Sequence, residues 1–352
     1  MNQNTVIEVN GLKTYFFTDD GVLKAVDGVN YAIEAGKTFG LIGESGCGKS
    51  ATSQSILRIV PQPGRIVGGE ILFRDARTPD AAPVDLVKLS PKGKEIRAIR
   101  GGKISMIFQE PMTSLSPLHT IQNQMVEAIL LHRTQNKKEA IEIAYDMLVK
   151  VGISNPRQRL TEYPHQLSGG IRQRVMIAMS LSCSPSLLIA DEPTTALDVT
   201  VQAQVLELMK KLQQELGMAV QYITHDLGVI AEVADTVGVM YLGRIVEMGT
   251  LEQIFRHPMH PYTERLMKSI PSLNKPKDAR RLATIKGNVP IPIDLPVSCG
   301  FASRCPMAMK GKCDCARPKL VDSGDGHLVS CFLYSSEAEE VETVVPDQGK
   351  GR

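Results

Sequence analysis

The chain has 352 residues, with 40 Lys+Arg against 38 Asp+Glu and 43% hydrophobic residues. That is enough for two or three domain-sized units with a real core, and it excludes disorder over most of the length. A formal net charge of +2 gives no support to nucleic-acid binding through bulk charge, and no nucleic-acid partner is expected.

Thr5–Val9 alternates apolar and polar residues as a strand does, Asp19-Asp20-Gly21 reads as a turn, and Thr38–Ile42 reads as a short apolar strand. A glycine-rich loop follows at Gly43–Gly48, then a helix over Ser50–Val60 stopped by Pro61 and Pro63. Arg74–Pro91 reads as an irregular insertion, and Ile104–Phe108 as a buried strand. From Ile121 to Ser184 the spacing turns helical. The uncharged run Val175–Ala190 is broken by Ser182, Ser184 and Pro185, short of the roughly 18 apolar residues that a spanning helix needs. Strands return at Ser186–Ala190 and Met218–Ile223 around a helix at Val201–Leu216, and a strand pair is expected within Thr236–Met248. Met1–Asn10 has no basic stretch leading into an apolar core, so a soluble, cytoplasmic chain is expected.

The alternation implies an α/β fold with a helical subdomain inserted at about residues 110–185. Near Pro258–Pro261 the character changes, and from Asn274 onward the chain is rich in Pro, Lys and Cys. The division expected is 1–262, 263–334 and an acidic, flexible end at 335–352.

Gly43-Glu44-Ser45-Gly46-Cys47-Gly48-Lys49-Ser50, with Ala51 behind it, fits the phosphate loop G-x4-G-K-S between a strand and a helix. Its glycines let backbone N–H groups wrap a phosphate; Lys49 reaches the β- and γ-phosphates, and Ser50 can hold Mg²⁺. At Cys47 the loop is read as using only the backbone N–H, so that any small side chain would serve; the alternative is that Lys49 and the helix terminus favour a thiolate that alkylating agents reach and bound ATP shields. Strand Ser186–Ala190 ends in Asp191 and Glu192, which suit Mg²⁺ ligation and polarisation of an attacking water. His225 ends the next strand at the same sheet edge and suits a γ-phosphate sensor. Ser168-Gly169-Gly170 opens a second helix, about 120 residues after the loop.

With Gln109 after Ile104–Phe108, and Ala196-Leu197-Asp198 after Glu192, this series resembles the signature of ABC-transporter ATPases over about Val6–Pro261. The resemblance implies that Phe16, or its neighbour Tyr15, stacks on adenine and that Gln109 touches Mg²⁺ and water. Ser168 and Gly170 would meet the γ-phosphate held by an opposite subunit, and Asp198 would bridge the two. The runs Gln109–Leu115, Tyr163–Ser168 and His257–Thr263 resemble the dipeptide/oligopeptide importer subfamily, closest to its D-type ATPase subunit. That implies a paralogous ATPase partner, two transmembrane permeases, an extracytoplasmic solute-binding protein, and a peripheral place on the cytoplasmic face of the inner membrane.

Cys299, Cys305, Cys313, Cys315 and Cys331 crowd 33 residues, where a metal or cluster is a better reading than disulfides. Some members of the resembled subfamily carry an iron–sulfur cluster here. The resemblance therefore implies a [4Fe–4S] cluster on Cys299, Cys305, Cys313 and Cys331, with zinc as the alternative and Cys315 surplus. The leading expectation is an ATPase powering peptide import. Import of nickel, a metal chelate, glutathione or another small solute stands second. A soluble ABC ATPase of repair or translation lacks support, since neither a second nucleotide domain nor a coiled-coil insertion is present. A regulatory module without turnover is disfavoured by Glu192 and His225.

Overall fold

The computed structural model describes residues 1–109, 114–195, 197–269, 287 and 289–339. Four of the sequence readings lie wholly or partly outside these residues: Glu110–Thr113 of the Gln109 run, Ala196, the start of the cysteine-rich region from Asn274, and residues 340–352 of the acidic end.

β1 (Thr5–Thr18) and β2 (Gly21–Glu34) form a long antiparallel hairpin, turned at Asp19-Asp20. β3 (Thr38–Ile42) leads through the glycine loop into α1 (Lys49–Ile56). The helix stops short of Val60 because Arg58 turns left-handed, at φ 55°. β4 (Gly64–Phe73) returns to pair with β1, and β5 (Val84–Asp85) extends that sheet within the insertion. After α2 (Lys94–Ile99), β6 (Ile104–Ile107) enters the second sheet.

α3 (Ile121–His132), α4 (Lys137–Lys150), α5 (Pro156–Thr161) and α6 (Gly169–Leu181) come next. Thr120 and Asn136 cap the first two by accepting from N–H groups of Asn123 and Lys138. β7 (Leu187–Asp191), α7 (Val199–Leu216), β8 (Ala219–Ile223), α8 (Leu227–Val233), β9 (Thr236–Tyr241) and β10 (Arg244–Thr250) complete the alternation. α9 (Leu251–Arg256), α10 (Pro261–Lys268), β11 (Val321–Asp322) and β12 (Leu328–Val329) follow.

The larger sheet runs β11-β12-β10-β9-β3-β8-β7-β6, parallel from β9 to β6 and antiparallel beyond. Its central strands are buried on both faces, which explains their unbroken apolar runs. Side chains alternate between two cores. Leu187 and Ile189 pack toward the antiparallel sheet, while Leu188 and Ala190 pack toward the helices. Among the described residues no helix is long and apolar enough to cross a membrane.

The C-terminal segment is joined to this sheet by β12 on β10 and by buried polar links. Glu247, fully buried, accepts from the Met259 and His260 N–H groups at 2.8 and 2.9 Å and pairs with His327 Nε2 at 2.8 Å. Asp27 meets Arg244 at 3.1 Å and Arg317 at 3.0 Å. At the acidic end, Glu339 reaches Arg244.

The expected cluster is corrected here. Among the described residues, no group of three or more His, Cys, Asp or Glu side chains is placed to hold a metal ion. Cys299, Cys305, Cys313 and Cys331 therefore do not form the [4Fe–4S] site, nor the zinc site that stood as its alternative. Burial, with a smaller contribution from the neighbouring cysteines, pushes the Cys299 thiol up to about 11 and raises Cys305 and Cys331. Cys299 and Cys305 pack instead against the main core as small apolar groups.

Candidate functional site

Because β3, β6, β7 and β8 are parallel, their carboxyl ends bring Gly43, Gln109, Asp191 and His225 to one edge. The glycine loop fits that edge tightly. At Gly48, φ is 106°, and a Cβ would stand 2.0 Å from the Ala25 carbonyl oxygen; at Gly43 it would stand 2.2 Å from that of Met240. Lys49, 7% exposed, donates to the carbonyls of Gly43 at 2.8 Å and Glu44 at 3.1 Å. Cys47 is buried, and burial raises its pKa more than Lys49 lowers it. The burial agrees with the reading in which the loop uses only the N–H of Cys47, and not with the alkylatable alternative.

The two carboxylates at the end of β7 are set apart by their surroundings. Asp191 is 4% exposed and burial raises its pKa, against a hydrogen bond from Ser50 that lowers it. Its Oδ1 is buried without a hydrogen-bond partner. Glu192 turns left-handed, at φ 48°, and swings out of the strand. One oxygen meets His225 Nδ1 at 2.8 Å; the other accepts from Gln109 at 2.9 Å and Thr195 at 3.1 Å. Burial would raise its pKa, but His225, Thr195 and Lys49 together bring it below the ordinary carboxylate range. Glu192 is therefore ionised at neutral pH and held at both oxygens.

Gln109, Glu192 and His225 line a cleft of about 550 Å³ with Ala25, Ser45, Gly46, Gly48, Lys49, Ser50 and Ala51. A cavity of about 580 Å³ opens between the C-terminal segment and the β9–β10 edge, but it contains none of these residues. Volume alone does not pick the site.

Ser168 and Gly169 are exposed at the start of α6, and the Ser168 side chain makes no capping hydrogen bond. Nothing lies within 4 Å of a Cβ built on Gly169. Asp198, also exposed, caps α7 by accepting from the Val201 N–H at 3.0 Å. Of the two aromatic candidates, Tyr15 is buried with its hydroxyl on Asp27 at 2.7 Å, which leaves Phe16, half-buried beside Gly64.

The sequence matches the family described as ABC transporter over residues 26–195, and the one described as Oligopeptide/dipeptide transporter, C-terminal region, over residues 246–313. It is 51% identical to the oligopeptide transport ATP-binding protein AppD of Bacillus subtilis, over 96% of this chain and 99% of that one. The chain belongs to the ATP-binding subunits of ABC transporters, in the oligopeptide/dipeptide family. The dipeptide transport ATP-binding protein DppD of the same organism is 48% identical over 95% of this chain and 96% of its own. A solved dimeric structure of a post-hydrolysis state of the ATP-binding cassette MJ0796, bound to ADP and Pi, matches with TM-score 0.60 at 26% identity. It covers 70% of this chain and 98% of that one. This ABC subunit is thus an ATPase built on the P-loop α/β fold.

Sequence reasoning did not find Thr195, although it stands three residues past Glu192 where a strand end can fold back on itself. Tyr262 lay inside a quoted run without a role, yet its hydroxyl accepts the Glu44 N–H at 3.0 Å.

Proposed function

We propose that this ABC subunit powers peptide import as one half of an ATP sandwich with a paralogous ATPase subunit. Gly43–Ser50 seats the triphosphate, Lys49 meets the β- and γ-phosphates, and Phe16 stacks on adenine. The Ser168–Gly170 terminus of each subunit closes over the nucleotide held by the other, with Asp198 at the boundary. Two permeases carry the peptide delivered by an extracytoplasmic binding protein. The ATPase pair sits peripherally on the cytoplasmic face of the inner membrane. The names of the relatives support the peptide assignment. We read residues 1–262 as the cassette, 263–334 as the family's C-terminal extension and 335–352 as its end.

The cleft's residues fit a divalent cation. Asp191 offers a buried, unbonded oxygen beside the Ser50 hydroxyl, with Gln109 across the cleft, a hard oxygen set suited to Mg²⁺. Bound with ATP, Mg²⁺ would neutralise phosphate charge and align the leaving oxygens. Glu192, ionised and held by His225, Gln109 and Thr195, orients the attacking water and takes its proton. His225 keeps that carboxylate facing the γ-phosphate.

The observation that carries the sandwich is the open end of α6, a helix N-terminus with an uncapped serine and clear space around its first glycine. Ser168→Arg tests it. The isolated chain should bind Mg-ATP like the parent, while turnover of the assembled transporter drops by about 100-fold or more. Parental turnover in the assembly would remove the sandwich.

A further inference from the structure

The glycine loop is held from outside by the C-terminal segment. Glu44, second in the loop, has three handles, and each is occupied. Its carbonyl accepts from Lys49 at 3.1 Å, its N–H donates to Tyr262 Oη at 3.0 Å, and its carboxylate receives Arg304 through two parallel bonds of 2.8 and 3.0 Å. Arg304 lies 260 residues away in sequence, in a 3-10 turn at Ala302–Arg304. Its side chain is 5% exposed. It also donates to the Tyr241 hydroxyl at 3.3 Å. Tyr241, Tyr262 and Phe301 pack their rings together beneath it, with centroids 4.7 to 5.4 Å apart.

A carboxylate in a phosphate loop is an awkward choice. The loop gathers N–H donors and one ammonium to attract a triphosphate, and an uncompensated anion beside Lys49 works against that attraction. Paired side by side with a buried guanidinium, the same carboxylate is neutralised and fixed in direction. We infer that Arg304 is a positioning residue for the ATPase reaction: by clamping Glu44 and cancelling its charge, the C-terminal segment keeps the glycine loop fit to receive the triphosphate. This rests on ATP binding at the loop and not on the solute or on the partner subunit.

The probe is Mg-ATP titrated against the full chain, with steady-state kinetics on the same variants. Arg304→Ala is expected to raise Kd and KM about tenfold with kcat changed less than about twofold, since the loss acts on the phosphate seat rather than on Glu192. Adding Glu44→Gln removes the stranded charge and should return Kd to within about threefold of the parent. A brace that merely held the fold would show no such rescue, because the double variant lacks the brace as well. Should Arg304→Ala fail to fold, Arg304→Gln keeps a polar side chain of similar reach but loses the charge, and it should raise Kd about threefold, again reversed by Glu44→Gln. Arg317→Ala, which cuts the separate link to Asp27, should leave Kd unchanged. An unaltered Kd in the Arg304 single variants, or a double variant as weak as the single, overturns the inference. A failed sandwich lowers turnover of the assembly and spares the single-chain Kd, so the two readings fail separately.

Discussion

The two glycine-bearing helix starts of this chain are built in opposite ways. The loop before α1 is walled in by its own chain, with backbone oxygens where any side chain at Gly43 or Gly48 would stand and with Lys49 threaded along its carbonyls. The start of α6 has an exposed serine and open space where a side chain at Gly169 would stand. Both can offer N–H donors to a phosphate. Only the first is completed from within; the second would need a partner, as the proposed sandwich requires.

The largest effect that would sharpen this contrast lies at the carboxylate beside the first of them. Glu192→Gln should lower ATP turnover by about 1,000-fold while nucleotide still binds, because the amide keeps the shape but cannot take a proton. Phosphate release that continues at the parental rate would strip Glu192 of its role. Next come the two glycines, compared directly. Gly48→Ala should weaken ATP binding by the isolated chain about 100-fold, since its methyl group has no room against Ala25 and the backbone must leave its left-handed shape. Gly169→Ala should leave that binding within about twofold and cut turnover of the assembly about tenfold. If both alanines act alike on the isolated chain, the contrast between an enclosed and an open terminus is wrong.

The smallest effect concerns acid stability. Burial pushes the His260 pKa from 6.5 down to about 3. The unfolded chain therefore binds a proton in that window that the folded one refuses. Stability is full above about pH 6.5 and falls as pH drops toward 3, by about 2 kcal/mol between pH 7 and 5 from this group alone. His260→Asn retains an acceptor for the Tyr262 N–H and should flatten that part of the melting-temperature profile. An unchanged slope would assign the acid sensitivity elsewhere.

The cleft was legible because every strand that builds it is a short apolar run ending in a chemically distinctive residue. Parallel pairing then sends Gly43, Gln109, Glu192 and His225 to one edge without further information. The link from Arg304 to Glu44 was illegible because no local pattern connects residues 260 apart; only the docking of the C-terminal segment creates it. The cysteines misled for a different reason. Spacing reports closeness along the chain, while ligation depends on several donors being placed around one ion, and among the described residues no such group is found. α1 was read too long because Ile59 and Val60 look helical, and nothing in the side chains announces the left-handed turn at Arg58.

The junction of β12 with β10 bears on how the protein can be trimmed. A chain cut after α10 would keep every residue that handles ATP, yet bare the hydrogen-bonding rim of β10 and leave Glu247 without His327. An exposed rim invites pairing with other chains, and a buried anion that has lost a partner costs folding energy. Attempts to prepare a minimal cassette from this subunit should therefore yield sticky, poorly behaved material, and its glycine loop will lack the Arg304 clamp as well.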